Sequence, residues 1–354
     1  MTTTPSATRR TVLTVAKLAL AVTILIYLFA QARGGFARLM EQRVSWPLLM
    51  AGMLCTLAAS TISFVRWHLL IRAVGIHVRL VDTLRLGALG LALNFVSPGM
   101  IGGDFFKAIF LAHGQPGRRT EAVATVVADR LIGLLTMLVV ASVGILASDL
   151  MEAQSAALRV LCDVILVTAL VTWALVALLL FVRRRSEPRL IRWAKTPPLI
   201  GGTVARLVGT VQAYRSQKRT LLAAFGLSTL VALFFISSFY LVARGLPIEE
   251  PPWREHLVII PVAALVGAIP ITPSGLGTLE LAVEELYQAV PGGVAVKQGE
   301  GALVALARRL TEMAVALVGL VFYLTHRREV EEVYAEAEEL AEDEERGASD
   351  EERD

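Results

Sequence analysis

Five charges stand inside apolar stretches of this 354-residue chain: Asp129, Arg130, Arg308, Arg309 and Glu312. A lone charge at the centre of a lipid-embedded helix costs about 2.5–3.5 kcal/mol, so five are tolerable only where they pair or face water. Arginines at that depth suit charge-assisted recognition of an anion, above all a phosphate. Two further stretches carry a different chemistry. Asn94-Phe-Val-Ser97-Pro98-Gly99-Met-Ile-Gly102-Gly103-Asp104 and Pro270-Ile-Thr272-Pro273-Ser274-Gly275-Leu-Gly277 interrupt apolar runs with Pro, Gly and polar side chains. Backbone amides freed by such breaks are tolerated at membrane depth only where protein or a wet cavity serves them.

The elements that must position these residues are membrane helices. The chain is 55% apolar with a mean hydropathy of +0.62, and the apolar residues arrive in blocks near the roughly 20 residues a helix needs to span a bilayer. Six blocks read as full spans: 12–30, 47–65, 120–147, 157–181, 220–243 and 301–325. The blocks 83–112 and 256–290 contain the breaks. Cys55 and Cys162 lie within apolar blocks and read as small core residues, with no metal-ligand spacing around them. Arg9-Arg10 ahead of the first block and Ala30-Gln31-Ala32 after it imitate a twin-arginine signal, but the run exceeds the roughly 7–15 residues of a signal core, so a retained helix is expected.

Charge orients the chain. Residues 329–354 carry fourteen acids against two arginines, so the formal +3 of the whole hides +15 on residues 1–328. The basic loop 182–219 is expected in the cytoplasm by the positive-inside rule, together with the N-terminus, the 66–82 segment, Arg118-Arg119, Arg327-Arg328 and the acidic tail 326–354. The connections 148–156, 244–255 and 291–300 then fall outside. Each broken block lies between segments that want the same side, so both read as re-entrant hairpins, the first from the cytoplasm and the second from outside.

That organisation is a repeat. Residues 12–147 run span, span, hairpin, span, and 157–325 repeat the order with inverted topology. Inverted repeats with discontinuous helices at their interface build many secondary transporters. Two ordinary kinked helical hairpins are the plainer alternative, since Gly and Pro are common in membrane helices. Arg130 and Arg308 occupy equivalent places, 32 residues after Pro98 and 35 after Pro273. Two readings of the buried charges stay open: Asp129 with Arg308 and Arg130 with Glu312 lock the repeats together, or the charges line a polar pathway. Asp104 is expected to cap a half-helix 105–112, and Gly277 a half-helix 278–290 with Glu280 at its third position. Helix N-termini there favour an anion, with Lys107, Arg130 and Arg308 adding charge. Residues 203–218 read either as an amphipathic helix on the anionic leaflet or as a purely topological basic loop.

Arg66-Trp67, the run Asn94 to Asp104 with Lys107, Asp129-Arg130, Pro273-Ser-Gly275-Leu-Gly277 with Glu280, and Arg308 together resemble the lysylphosphatidylglycerol synthase transmembrane-domain family, the flippase-like membrane proteins, over roughly 12–325. The resemblance implies handling of lipids between leaflets of the inner membrane. It does not carry over synthase activity, because an acidic tail follows residue 325 where the two-part enzyme has its soluble transferase domain.

The sequence thus predicts an all-α polytopic membrane protein that binds and translocates a phospholipid or polyprenyl-type phosphate lipid. Asn94, Ser97, Thr272 and Ser274 would supply polar contacts. Pro98, Gly99, Gly102, Gly103, Pro273, Gly275 and Gly277 would shape the backbone. Lys107, Arg130 and Arg308, with Asp104, Asp129, Glu280 and Glu312, would set the charge. No cofactor, metal, catalytic group or nucleic-acid partner is expected. A membrane-embedded lipid transferase, or an accessory subunit of a lipid or envelope synthase, is the alternative.

Overall fold

The computed structural model describes residues 43–96, 103–113, 118–148, 156–181, 217–269, 276–289 and 296–325, with Thr23, Ile26, Tyr214 and Thr272 besides. The rest of the first expected span, most of the basic loop, the tail, and Ser97, Pro98, Gly99, Gly102, Pro273, Ser274 and Gly275 lie outside them. Nine helices form among the described residues: α1 (Trp46–Ala73), α2 (Leu80–Val96), α3 (Gly103–His113), α4 (Arg119–Leu146), α5 (Ala156–Phe181), α6 (Lys218–Gly245), α7 (Trp253–Gly267), α8 (Thr278–Ala289) and α9 (Glu300–Thr325). Four of them, α1, α4, α6 and residues 159–177 of α5, are long and apolar enough to cross a membrane.

One boundary differs from the sequence reading in a way that matters. The span expected to end at 65 continues to Ala73, because Trp67, Leu70 and Ile71 are buried and keep the helix packed for two more turns. Arg66 and His68 are therefore helical residues, not members of a basic loop. The helix stops at Gly75 (φ 81°), whose N–H meets the Arg72 carbonyl at 3.0 Å while the Ile76 N–H meets that of Ile71 at 3.3 Å. This is a Schellman stop, in which glycine takes the left-handed position without a Cβ clash.

Both broken blocks are helical hairpins. In the second, His256 near the start of α7 bonds Tyr287 near the end of α8 at 2.7 Å, and Gly267 at the other end packs on Leu279, so the helices run antiparallel. In the first, a Cβ on Gly103 would fall 1.7 Å from the Gly90 carbonyl oxygen, and one on Gly90 would strike Lys107. The four arms hold 17, 11, 15 and 12 residues, each shorter than the roughly 20 residues a span requires.

α1 and α6 lie antiparallel: the Ser45 N–H donates to the Gly245 carbonyl at 2.8 Å, and Arg66 reaches Ser228 about two-thirds of the way along. Around this pair the packing is paired as well. α4 packs on α7 and α9 on α2; α3 on α4 and α8 on α9; α4 on α6 and α9 on α1; α1 on α2 and α6 on α7. Exchanging α1 with α6, α2 with α7, α3 with α8 and α4 with α9 maps each of these relations onto another. Small residues permit the closest approaches: Gly319 of α9 sits against the Ala88 backbone, and Gly144 of α4 against that of Leu257.

Three apolar clusters result among the described residues, the smallest of them Leu70, Ala128, Ile132, Tyr214 and Ala224. The first joins the ends of α1 and α4 to α2 and α3 through Trp67, Leu89, Phe106 and Val126. The second joins α4 to α9 through Leu138, Ile236, Ile260, Val283 and Val304. Along α4, Asp129-Arg130 falls between Val126 of the first and Leu138 of the second, flanked by Ala128 and Ile132 of the smallest cluster.

Candidate functional site

A cavity of ≈ 520 Å³ opens between the hairpins and the α1–α6 pair. It gathers Asn94, Asp104, Lys107, Asp129, Arg130, Thr272, Arg308 and Glu312, eight positions that the sequence had singled out. Arg66, Arg309, Ser228 and Phe235 join them. Among the described residues of its wall, Arg66, Lys107, Arg130, Arg308 and Arg309 face Asp104, Asp129 and Glu312. Cations outnumber carboxylates.

The pairings correct the cross-repeat locks expected from sequence. Asp129 does not meet Arg308; it accepts from Arg66 Nε at 2.8 Å, with side-chain exposures of 15% and 5%. The reason is the longer α1, which carries Arg66 into the interior, where it also donates to Ser228 Oγ of α6. Arg130 does not meet Glu312. It donates to Asp104 Oδ2, while Lys107 Nζ lies 3.2 Å from Oδ1 of the same carboxylate. Glu312 is instead held by Arg308 one turn before it, at 2.5 Å.

Asp104 is likewise not the cap of its half-helix. α3 starts one residue earlier, and its Gly103 N–H donates to Asn94 Oδ1 at 2.7 Å. Asn94 thus serves the orphan amide across the break, leaving the Asp104 carboxylate for the two cations. On the other hairpin the expected cap forms: Gly277 (φ 85°) donates its N–H to Glu280 Oε2 at 2.9 Å, a capping box with glycine at the N-cap. The second Glu280 oxygen accepts from Arg309. The counterpart of Arg130 is therefore Arg309 and not Arg308, since each reaches an acid in the first turn of the hairpin's second arm.

Arg308 has a different setting. Its guanidinium lies over the rings of Phe235 at 4.6 Å and Phe239 at 5.1 Å, and its buried Nε has no hydrogen-bond partner. Cation–π contact offsets part of its desolvation. Thr272 Oγ1 stands 3.5 Å from Thr278 Oγ1 at the second break. Lys107 Nζ sits 5.6 Å and 5.7 Å from the rings of Phe64 and Trp67.

Sequence reasoning did not place Arg66 or Arg309 in the site, although Arg309 is one of the five charges within apolar stretches. Apolar residues recurring at Trp67, Leu70 and Ile71 were the available signal that α1 continues past Arg66. Nothing in the spacing distinguished Arg309 from its neighbour. Within the basic loop, Tyr214 is buried and donates to the Leu70 carbonyl at 3.0 Å, tying that segment to α1.

Chemically, the wall can bind an anion through guanidinium and ammonium donors. The family model described as the lysylphosphatidylglycerol synthase TM region matches residues 14–319. No curated protein matches the chain.

Proposed function

The chain belongs to the lysylphosphatidylglycerol synthase TM-region family, and from that membership and the charged cavity we propose that it binds the phosphate of a membrane lipid and carries it between leaflets. It is an all-helical, multi-pass membrane protein. The observation that carries the proposal is the Lys107–Asp104–Arg130 cluster, where two cations share one carboxylate on the cavity wall. A phosphate brought there gains donors in charge-assisted geometry, and the excess cation gains its counter-charge.

In this reading the two halves are an inverted repeat, with the termini and the basic loop in the cytoplasm and both hairpins re-entrant. The paired helix contacts and the paired acids support it. The equivalent ion pairs differ in exposure: 61% and 27% for Arg130 and Asp104 against 15% and 0% for Arg309 and Glu280. Transport would exchange these environments, opening the second pair as the first closes.

The test is reconstitution of the pure protein into vesicles holding a leaflet-specific fluorescent phosphatidylglycerol. Arg130→Gln should slow exchange about tenfold or more, the equivalent of a lost charge-assisted hydrogen bond. Normal exchange by a folded Arg130→Gln protein would defeat the proposal. Turnover of the lipid to a new product would point instead to a transferase.

A further inference from the structure

A second hollow of ≈ 280 Å³ lies between α1, α2 and α9, walled chiefly by Leu57, Thr61, Val81, Leu84, Ala88 and Val315, with Arg85, 48% exposed and beside Asp82, as its one charged lining residue. Three residues, Ser60, Phe64 and Leu91, line this hollow and the polar cavity alike. Phe64 is the partition. Its ring faces Lys107 Nζ at 5.6 Å and presses on α2 where Gly87 has no side chain; a Cβ there would fall 2.4 Å from the ring. Leu57 and Val81 at the rim are 42% and 46% exposed, so the hollow opens sideways on a helix long and apolar enough to cross the membrane.

We propose that this groove holds a hydrocarbon chain of the same molecule whose phosphate sits at Lys107, Asp104 and Arg130. The proposal rests on the cavity reading and narrows it: the ligand is a phosphate-bearing amphiphile, and a free phosphate or soluble phosphoester lacks the part that the groove receives. The physical reason is continuity. A head group drawn into a polar cavity drags its chain after it, and a chain forced along a polar wall would lose its apolar surroundings. The groove meets the cavity beside Phe64, so the head can enter while the chain stays in contact with apolar side chains. Bilayer hydrocarbon is as apolar as the groove, so the chain gains little by moving; the groove acts by giving it passage.

The experiment uses the full chain, with Cys55 and Cys162 replaced, in vesicles of phosphatidylglycerol and phosphatidylcholine. Leu57→Trp and Thr61→Trp fill the groove. A photo-crosslinking residue is placed at 57 and, as a control, at 170, where Leu170 is 72% exposed on α5. Glycerol 3-phosphate serves as the soluble phosphoester, its binding read as protection of Met137→Cys in the cavity wall. The tryptophan variants should slow lipid exchange about tenfold, as overpacking does, and leave glycerol 3-phosphate protection unchanged. Crosslinks from 57 should carry phosphatidylglycerol and fall about tenfold when Arg130→Gln is added, while those from 170 do not change. Where a tryptophan variant fails to fold, the crosslinks decide. If exchange needs Arg130 yet the crosslinks at 57 ignore Arg130→Gln and both tryptophan variants exchange normally, the groove holds only bulk lipid and this proposal falls while the cavity reading stands. If Arg130→Gln exchanges normally, both fall together.

Discussion

Arg130 donates to Asp104 across the gap between α4 and the first turn of α3. The same relation recurs between Arg309 of α9 and Glu280 in the first turn of α8. The two pairs share a place in the fold and differ in surroundings, which separates a binding role from a structural one.

Arg309→Gln should destabilise the protein far more than Arg130→Gln. It strands Glu280, which is fully buried, and breaking a buried pair costs about 3–5 kcal/mol. Arg130→Gln strands no carboxylate, because Asp104 keeps Lys107 at 3.2 Å, so its cost should be smaller. Thermal unfolding in detergent reads the first difference and leaflet exchange the second; equal melting temperatures for the two variants would contradict the assignment.

Arg66 and Asp129 form another buried pair, and a double-mutant cycle isolates it. Asp129→Leu alone should cost about 3–5 kcal/mol because the Arg66 charge stays behind. Arg66→Met combined with Asp129→Leu should recover a large part of that loss, since apolar replacements remove both charges together. No recovery in the double variant would show that the two residues act through other partners, Ser228 among them.

Gly103→Ala and Gly226→Ala make opposite cases of one substitution. The first puts a Cβ into the Gly90 backbone, forcing the two arms of the hairpin apart; yield of folded protein should drop sharply. The second meets nothing within 4 Å and should stabilise α6 by about 1 kcal/mol through helix propensity. Melting temperatures of the purified variants provide the comparison.

The cavity should be wet. Asn94→Cys, on its wall, should react with a membrane-impermeant sulfonate-bearing thiol reagent, whereas Leu170→Cys, 72% exposed but on an apolar face, should not. A thiol in hydrocarbon stays protonated and unreactive. Faster reaction with an anionic reagent than with a cationic one would match the cation excess of the wall; equal protection at both positions would mean a closed, dry interior.

Much of the architecture is legible in the amino-acid sequence. Apolar blocks of bilayer length located α1, α4, α5 and α6, and Pro and Gly clusters located both hairpins, because lipid leaves backbone groups no partner outside the chain. The Gly277–Glu280 cap could be read three residues apart, since it depends on local spacing alone. Arg66 could not be placed, because the decision whether α1 ends at 65 or at 73 came from what Trp67, Leu70 and Ile71 pack against. Nor could Asn94 be assigned to the Gly103 amide, a bond made across a break whose path depends on how α2 and α3 meet at Gly90.

By itself, then, the sequence determined that charged residues lie within membrane helices and that two broken helices accompany them, for these follow from composition and local spacing. Which acid holds which arginine was decided only by tertiary structure. An arginine side chain reaches several partners over one helical turn, so the choice between Asp104 and Glu312 for Arg130, or between Asp129 and a loop position for Arg66, rests on which helices lie side by side.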